Sequence, residues 1–126
     1  MRRINIADRL ASIGLTAPDI LATYACEGQA MIGLVRIAAG STDHFWERHS
    51  NGDELLFLLE GRAQFTSRDA ASNDTMIEVG AGDLVLLSRD EAHRARVQED
   101  LCLLFITPQD GNIAWSDDPA VPLRHG

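Results

Sequence analysis

The chain has no lysine: all eleven of its basic residues are arginine. Schiff-base catalysis, covalent pyridoxal phosphate and a phosphate-binding P-loop each need a lysine amine, so those enzyme classes are excluded. Cysteine is scarce as well. The two present, Cys26 and Cys102, sit in the apolar runs TYAC and LCLLFI with no CxxC partner, which predicts buried free thiols and argues against a zinc knuckle or a disulfide framework. No apolar run approaches the ~18 residues that cross a bilayer, and Asp8 and Arg9 interrupt the leader-like start, so a cytoplasmic protein is expected. Eleven basic against nineteen acidic residues give a formal charge of -8. That balance repels phosphate backbones and anionic lipid, so neither nucleic acid nor membrane is expected as a partner.

What remains is an ordinary globular composition, 45% apolar and 24% charged over 126 residues, enough for one hydrophobic core. Residues 4–13 place Ile4, Ala7, Leu10 and Ala11 at helical spacing, predicting a short amphipathic helix docked on the body. From Ile20 the pattern changes to short segments rich in Val, Ile, Leu, Phe and Thr. Turn residues separate them at Glu27-Gly28, Gly40-Ser41, Asn51-Gly52-Asp53, Glu60-Gly61, 71–74 and 80–83. Strands are expected near 20–26, 29–38, 42–49, 54–59, 62–67, 75–79, 83–87, 92–97 and 101–106. Such close spacing without a helical insert reads as an all-β barrel or sandwich. The domain plan is a helix and arm over 1–18, a barrel over 19–108 and an extended or frayed tail over 109–126. LLFLL (55–59), LVLL (84–87) and LCLLFI (101–106) are apolar on both alternating faces, so the outside of the barrel needs cover, most simply in a homodimer.

Chemistry-bearing residues concentrate in 41–61 and 82–97. Strand alternation puts Phe45 and Glu47 on the face of His49, with His44, Trp46 and Arg48 on the other. From His93, alternation turns Ala95 and Val97 inward and Arg94 and Arg96 outward. Glu47, His49, Glu54 and His93 can therefore converge inside the barrel, and two imidazoles with two carboxylates are a donor set for a first-row divalent metal. Two ionised carboxylates facing an apolar interior repel and lose hydration, a cost that a dication, a shared proton or an inward arginine would relieve. His44 reaches the site only through a bulge. His125 is expected in solvent, and Trp46 and Trp115 in a subunit contact or on a ligand. Met31, Phe57, Phe65 and Phe105 are read as packing residues of the interior or interface, and no His–Asp arrangement supports Ser88 as a nucleophile.

These residues resemble the cupin family. Its first motif, Gly, His-x-His, Glu and Gly, is matched by Gly40, Glu47-Arg48-His49, Glu54 and Gly61, with Glu47 where the family has a histidine. The second keeps its spacing at Gly82, Ser88-Arg89-Asp90, His93 and Val97 but loses the Pro, Gly and Asn identities. The wider run INIADRL, FWERH, DELLFLLEGRAQF, GAGDLVLLSRDEAHRARV and LLFITP is similar to small single-domain cupins over roughly residues 5–115. The resemblance implies a jelly-roll double-stranded β-barrel with a metal held by His49, Glu54, His93 and, in place of the first histidine, Glu47. The extra carboxylate favours Mn(II), Fe(II) or Zn(II), with Ni(II) next and copper disfavoured. It implies a small metal-binding cupin with one small-molecule pocket, serving a metal-dependent oxygenase, isomerase or lyase acting on a small polar metabolite. The alternatives are a non-catalytic ligand-binding module, with or without metal, and an accessory dimer whose barrel is filled by side chains.

Overall fold

Alternation builds most of the chain into antiparallel strands. The structure, a computed structural model, describes residues 1–123; His125 lies outside the described residues. In chain order the elements are β1 (Arg2–Asn5), α1 (Ile6–Leu10), β2 (Ala30–Ile37), β3 (Phe45–His49), β4 (Glu54–Arg68), β5 (Asp74–Gly80), β6 (Asp83–Leu87), β7 (Ala92–Pro108) and β8 (Asn112–Ser116). The strands form one eight-stranded sheet in the order β1-β6-β4-β7-β3-β8, with β2 added to β7 and β5 to β4. β4 and β7 are fifteen and seventeen residues long and pair with each other along most of their length. The first part of β4 pairs with β6 and the rest with β5, while β7 pairs first with β3 and then with β2. The two long strands thus serve both halves of the sheet and let it roll up into the expected all-β jelly-roll barrel.

Several boundaries differ from the sequence reading. The segments 54–59 and 62–67 are one strand, because Glu60-Gly61 makes a bulge where a turn was expected: the register to β7 slips between Leu58 and Ala63. Gly61 is required there, since its φ is 90° and a Cβ would meet the Asp100 carbonyl oxygen at 2.2 Å. The segments 92–97 and 101–106 are likewise continuous in β7. No strand forms over 20–26. That stretch makes only the bridge Cys26–Gly52, and Ala25 exchanges its hydrogen bonds with Asp53, accepting from its N–H and donating to its carboxylate. The strand expected at 42–49 begins at Phe45, after a turn closed by Phe45 N–H to the Thr42 carbonyl.

The ends of the chain join the sheet as well. Arg2–Asn5 is β1, paired with β6, and the helix keeps only five residues, capped by the Asn5 side chain, which accepts from Asp8 N–H. It buries no residue and leaves Leu10 exposed, so it does not dock an apolar face on the body as expected. The tail contributes β8, paired with β3, in place of a frayed end. Cys26 and Cys102 are free thiols, half-buried where full burial was expected.

Inward-facing Leu58, Ala63, Phe65, Val79, Val85, Val97 and Leu101 form the packed core. Each fully buried Leu, Val or Phe contributes roughly 1.5–3 kcal/mol of transfer free energy. On the opposite face a cross-strand row runs Ile4, Leu84, Phe57, Leu104 and Leu34. It ends at the exposed side chains of β2, where Ile32 and Leu34 remain open.

Candidate metal centre

Pairing between β3 and β7 sets Glu47 directly opposite His93, and pairing between β3 and β8 sets Asn112 opposite His49. With a two-residue period, Glu47, His49 and His93 share the inner face. Glu54, the first residue of β4 after the Asn51-Gly52-Asp53 turn, is directed to the same point. One donor atom from each of these four residues lies within 4.8 Å of the other three. His49 Nε2 is 3.3 Å from Glu54 Oε2 and 3.6 Å from Glu47 Oε2, and His93 Nε2 is 3.3 Å from Glu54 Oε1 and 3.7 Å from Glu47 Oε2. Donors ~2.1 Å from a shared ion stand roughly 3.4 Å apart around a tetrahedron, so the spacing suits a first-row dication.

The surroundings fix the donors. His49 Nδ1 lies 2.8 Å from the Asn112 side-chain oxygen, and the Asn112 amide donates to the Pro108 carbonyl, which orients it with that oxygen toward the ring. His49 therefore donates from Nδ1 and turns Nε2 to the cluster, the arrangement a metal-binding imidazole needs once that nitrogen is unprotonated. Nε2 is buried and has no hydrogen-bond partner. Thr107 donates its hydroxyl to Glu54 Oε2 at 2.5 Å, holding a carboxylate that is buried. Glu47 differs from the other three. Its side chain is 52% exposed, against 6–9% for His49, His93 and Glu54.

Burial by itself would raise Glu54 and lower both histidines, and the close opposite charges outweigh it in each case. Glu54 is held well below the usual carboxylate range by His49 and His93. His93 is pushed up to about 9 by Glu47 and Glu54, and His49 is raised by Glu54 and Asn112. The charges of the cluster can balance in two ways: two protons on the imidazoles, or one dication in their place, match the two carboxylates.

Neighbours of these residues fall where alternation puts them. Val97 is in the core and Ala95 lines the barrel cavity. Arg94 lies with its guanidinium over the Trp46 ring. His44 bonds to Asp117 at 2.9 Å, away from the cluster. Trp46 and Trp115 stack on each other at 6.5 Å, and Trp46 is 1% exposed, buried within its own chain where a subunit contact was one expectation. Met31, Phe65 and Phe105 line the cavity, whereas Phe57 lies on the outer face. Two supporting residues were missed in the sequence. Thr107 continues the inward parity of Leu101, Leu103 and Phe105, and that parity was a usable signal. Asn112 lay in a segment read as an arm, and only the short alternating NIAWS after Gly111 hinted at a strand.

The cluster sits in the wall of a cavity of about 1310 Å³. The family model of the cupin domain matches residues 33–107, which contain all four donors. The L-ectoine synthases of Rhodococcus opacus (strain B4) and Rhodococcus jostii (strain RHA1) are each 30% identical over 89 residues, 69% of this chain and 64% of theirs. The match thus covers just under two thirds of the length of those relatives. Among solved structures, Bacillus subtilis oxalate decarboxylase OxdC aligns over 70% of this chain and 24% of its own, at 21% identity and a TM-score of 0.57. Lactobacillus farciminis oxalate decarboxylase, solved as a formate complex, aligns over 67% and 26% at 20% identity and a TM-score of 0.59. At such identities the structural likeness concerns the fold.

Proposed function

The chain belongs to the cupin family, and from that premise we propose that Glu47, His49, Glu54 and His93 hold a divalent first-row metal that serves an enzyme acting on a small molecule in the barrel. The observation that carries this reading is the convergence of four donor atoms within 4.8 Å at the cavity wall, with His49 Nε2 buried and unpartnered. The donor set favours Mn(II), Fe(II) or Zn(II), with Ni(II) behind them, because two carboxylates make the site hard. Such an ion supplies Lewis-acid polarisation of a ligand oxygen. The protein groups do the rest. Asn112 and Thr107 hold His49 and Glu54 in place, and the apolar wall packs against the rest of the ligand. Glu47 is the one member open to solvent, which suits it to take or give a proton at its carboxylate. The ectoine synthase relatives, enzymes by name, support catalysis over simple binding.

Metal analysis of protein purified without chelator tests the proposal. About one equivalent of a transition metal, with a higher Tm on adding Mn, Fe or Zn, supports it. Less than a tenth of an equivalent, with no change in Tm, refutes it. A second reading has one observation behind it: His49 and His93, both protonated, balance Glu47 and Glu54 without any ion. That state belongs to a metal-free, non-catalytic cupin, and the same measurement separates the two. Two free thiols support a reducing, cytoplasmic location, and the exposed Ile32, Leu34 and Leu59 support a homodimer, which light scattering would reveal. Among the described residues no helix is long and apolar enough to cross a membrane.

A further inference from the structure

The wall of the cavity is chemically lopsided. Away from the four-residue cluster it is made by Met31, Val35, Phe45, Phe65, Leu103 and Phe105 together with other apolar side chains. The Phe105 ring leans over Gly33, where a Cβ would meet it at 2.4 Å, so glycine at 33 is what lets the aromatic ring lie against β2. The polar side chains of the wall are already engaged with the protein. Ser41 donates to the Ala38 carbonyl, Thr42 to the Ala95 carbonyl and Thr107 to Glu54, while the Asn112 amide bridges His49 and Pro108. None of these hydroxyl protons is offered to the cavity.

Charge is equally restricted. Among the described residues the only arginine of the wall is Arg94; its guanidinium lies 4.7 Å above the Trp46 ring and donates from one terminal nitrogen to Asp117 at 3.2 Å, while its buried Nε has no hydrogen-bond partner. A ligand carboxylate or phosphate in the body of this cavity would lose its hydration and, among the described residues of the wall, find only Arg94, which already pairs with Asp117, as a fixed cation. The cluster offers it little more. Two carboxylates with one dication are neutral, whereas a site with three histidines and one glutamate would keep a positive charge. The Glu47 substitution and the apolar wall act in the same direction.

We propose that the cavity takes a neutral, largely apolar small molecule whose single oxygen-bearing end meets the Glu47–His49–Glu54–His93 cluster. This rests on the reading of that cluster as the reacting end of the cavity, and it narrows the expected polar metabolite to one whose polarity is confined to that end. Adjacent residues of β2 allow a direct test, because Val35 and Met31 line the cavity while Leu34 belongs to the outer row, and all three side chains are partly exposed. The probes are the neutral fluorophore N-phenylnaphthylamine and its sulfonated analogue anilinonaphthalenesulfonate, which differ by one negative charge. The neutral probe should bind one per chain, at least about tenfold more tightly than the sulfonate. Val35→Arg or Met31→Arg should weaken the neutral probe by about tenfold or more, and Leu34→Arg by less than about twofold. Equal affinity for the two probes, no binding, or loss of binding in Leu34→Arg would overturn the proposal. Metal content is read on the same samples. If metal binds and the neutral probe does not, only this inference fails; if the probe binds and metal does not, only the metal reading fails.

Discussion

Strands β3 and β7 stand between two histidine–carboxylate clusters, one completed by Glu54 of β4 and the other by His44 before β3 and Asp117 after β8. On the inner face, Glu47, His49, Glu54 and His93 point their donor atoms at one another across 3.3–3.7 Å, and two buried imidazole nitrogens, His49 Nε2 and His93 Nδ1, have no hydrogen-bond partner. On the outer face, His44, the Trp46 indole and Arg94 all turn to a single carboxylate, Asp117, at 2.9, 3.0 and 3.2 Å. The Trp46 ring is covered there by Arg68 and Arg94, at 4.3 and 4.7 Å from its centre. Both clusters pair histidine with carboxylate, but the outer one adds an indole and a guanidinium in place of the second histidine and second carboxylate. The outer groups are tied together through Asp117, with only Arg94 Nε left unpartnered, whereas the inner four aim their donor atoms at one shared point, which is the condition for holding a ligand.

The contrast is broken most severely by deleting inner histidines. His49→Ala or His93→Ala should abolish metal binding in a titration followed by calorimetry, whereas His44→Ala should leave the stoichiometry unchanged. If His44→Ala removed the metal, the assignment of the two clusters would be reversed. Next in size is the outer cluster: Trp46→Ala should cost about 3–5 kcal/mol in denaturant unfolding, with metal stoichiometry intact in the folded fraction. Asn112→Ala should weaken metal affinity by about 10–100-fold with little change in unfolding, because it frees the His49 ring without removing a donor.

Acidity gives a subtler contrast. In metal-free protein His93 is raised to about 9 and His49 is raised too, so their contribution to stability is complete below about 6.5, the unfolded value, and is lost as pH rises toward 9. Glu54 is lowered, so its contribution is present above the unfolded value and fades only in strong acid. The Tm of metal-free protein should therefore fall between pH 6.5 and 9, while the extra stabilisation from added metal rises over the same interval as protons stop competing. A flat Tm in metal-free protein would show that the imidazoles are neutral throughout. The smallest effect is His44→Ala on stability, under about 1 kcal/mol by denaturant unfolding, because the His44–Asp117 pair is half-exposed and screened.

Much of this was legible in the sequence because strand alternation is rigid. A period of two fixes which of His44, Phe45, Trp46, Glu47, Arg48 and His49 turn inward, and the cross-strand pairing of Glu47 with His93 follows the same parity. Long-range completion was harder to read. Nothing local distinguishes a bulge from a turn at Glu60-Gly61, because Gly61 serves both, and the choice depends on Asp100 forty residues later in β7. The strand at Arg2–Asn5 was hidden by helical spacing that α1 uses only in part, since pairing with β6 outweighs a weak helical preference. Trp46 was misread for a related reason. Its burial is created by the tail, which brings Trp115 and Asp117 over it from a segment whose docking the sequence left open.

Anomalous diffraction from crystals grown with Mn(II), Fe(II) or Zn(II) tests the central claim most directly. One peak is predicted, ~2.0–2.3 Å from a nitrogen of His49, a nitrogen of His93 and oxygens of Glu47 and Glu54. No peak there, or a peak held by His44 and Asp117 on the outer face, would contradict it.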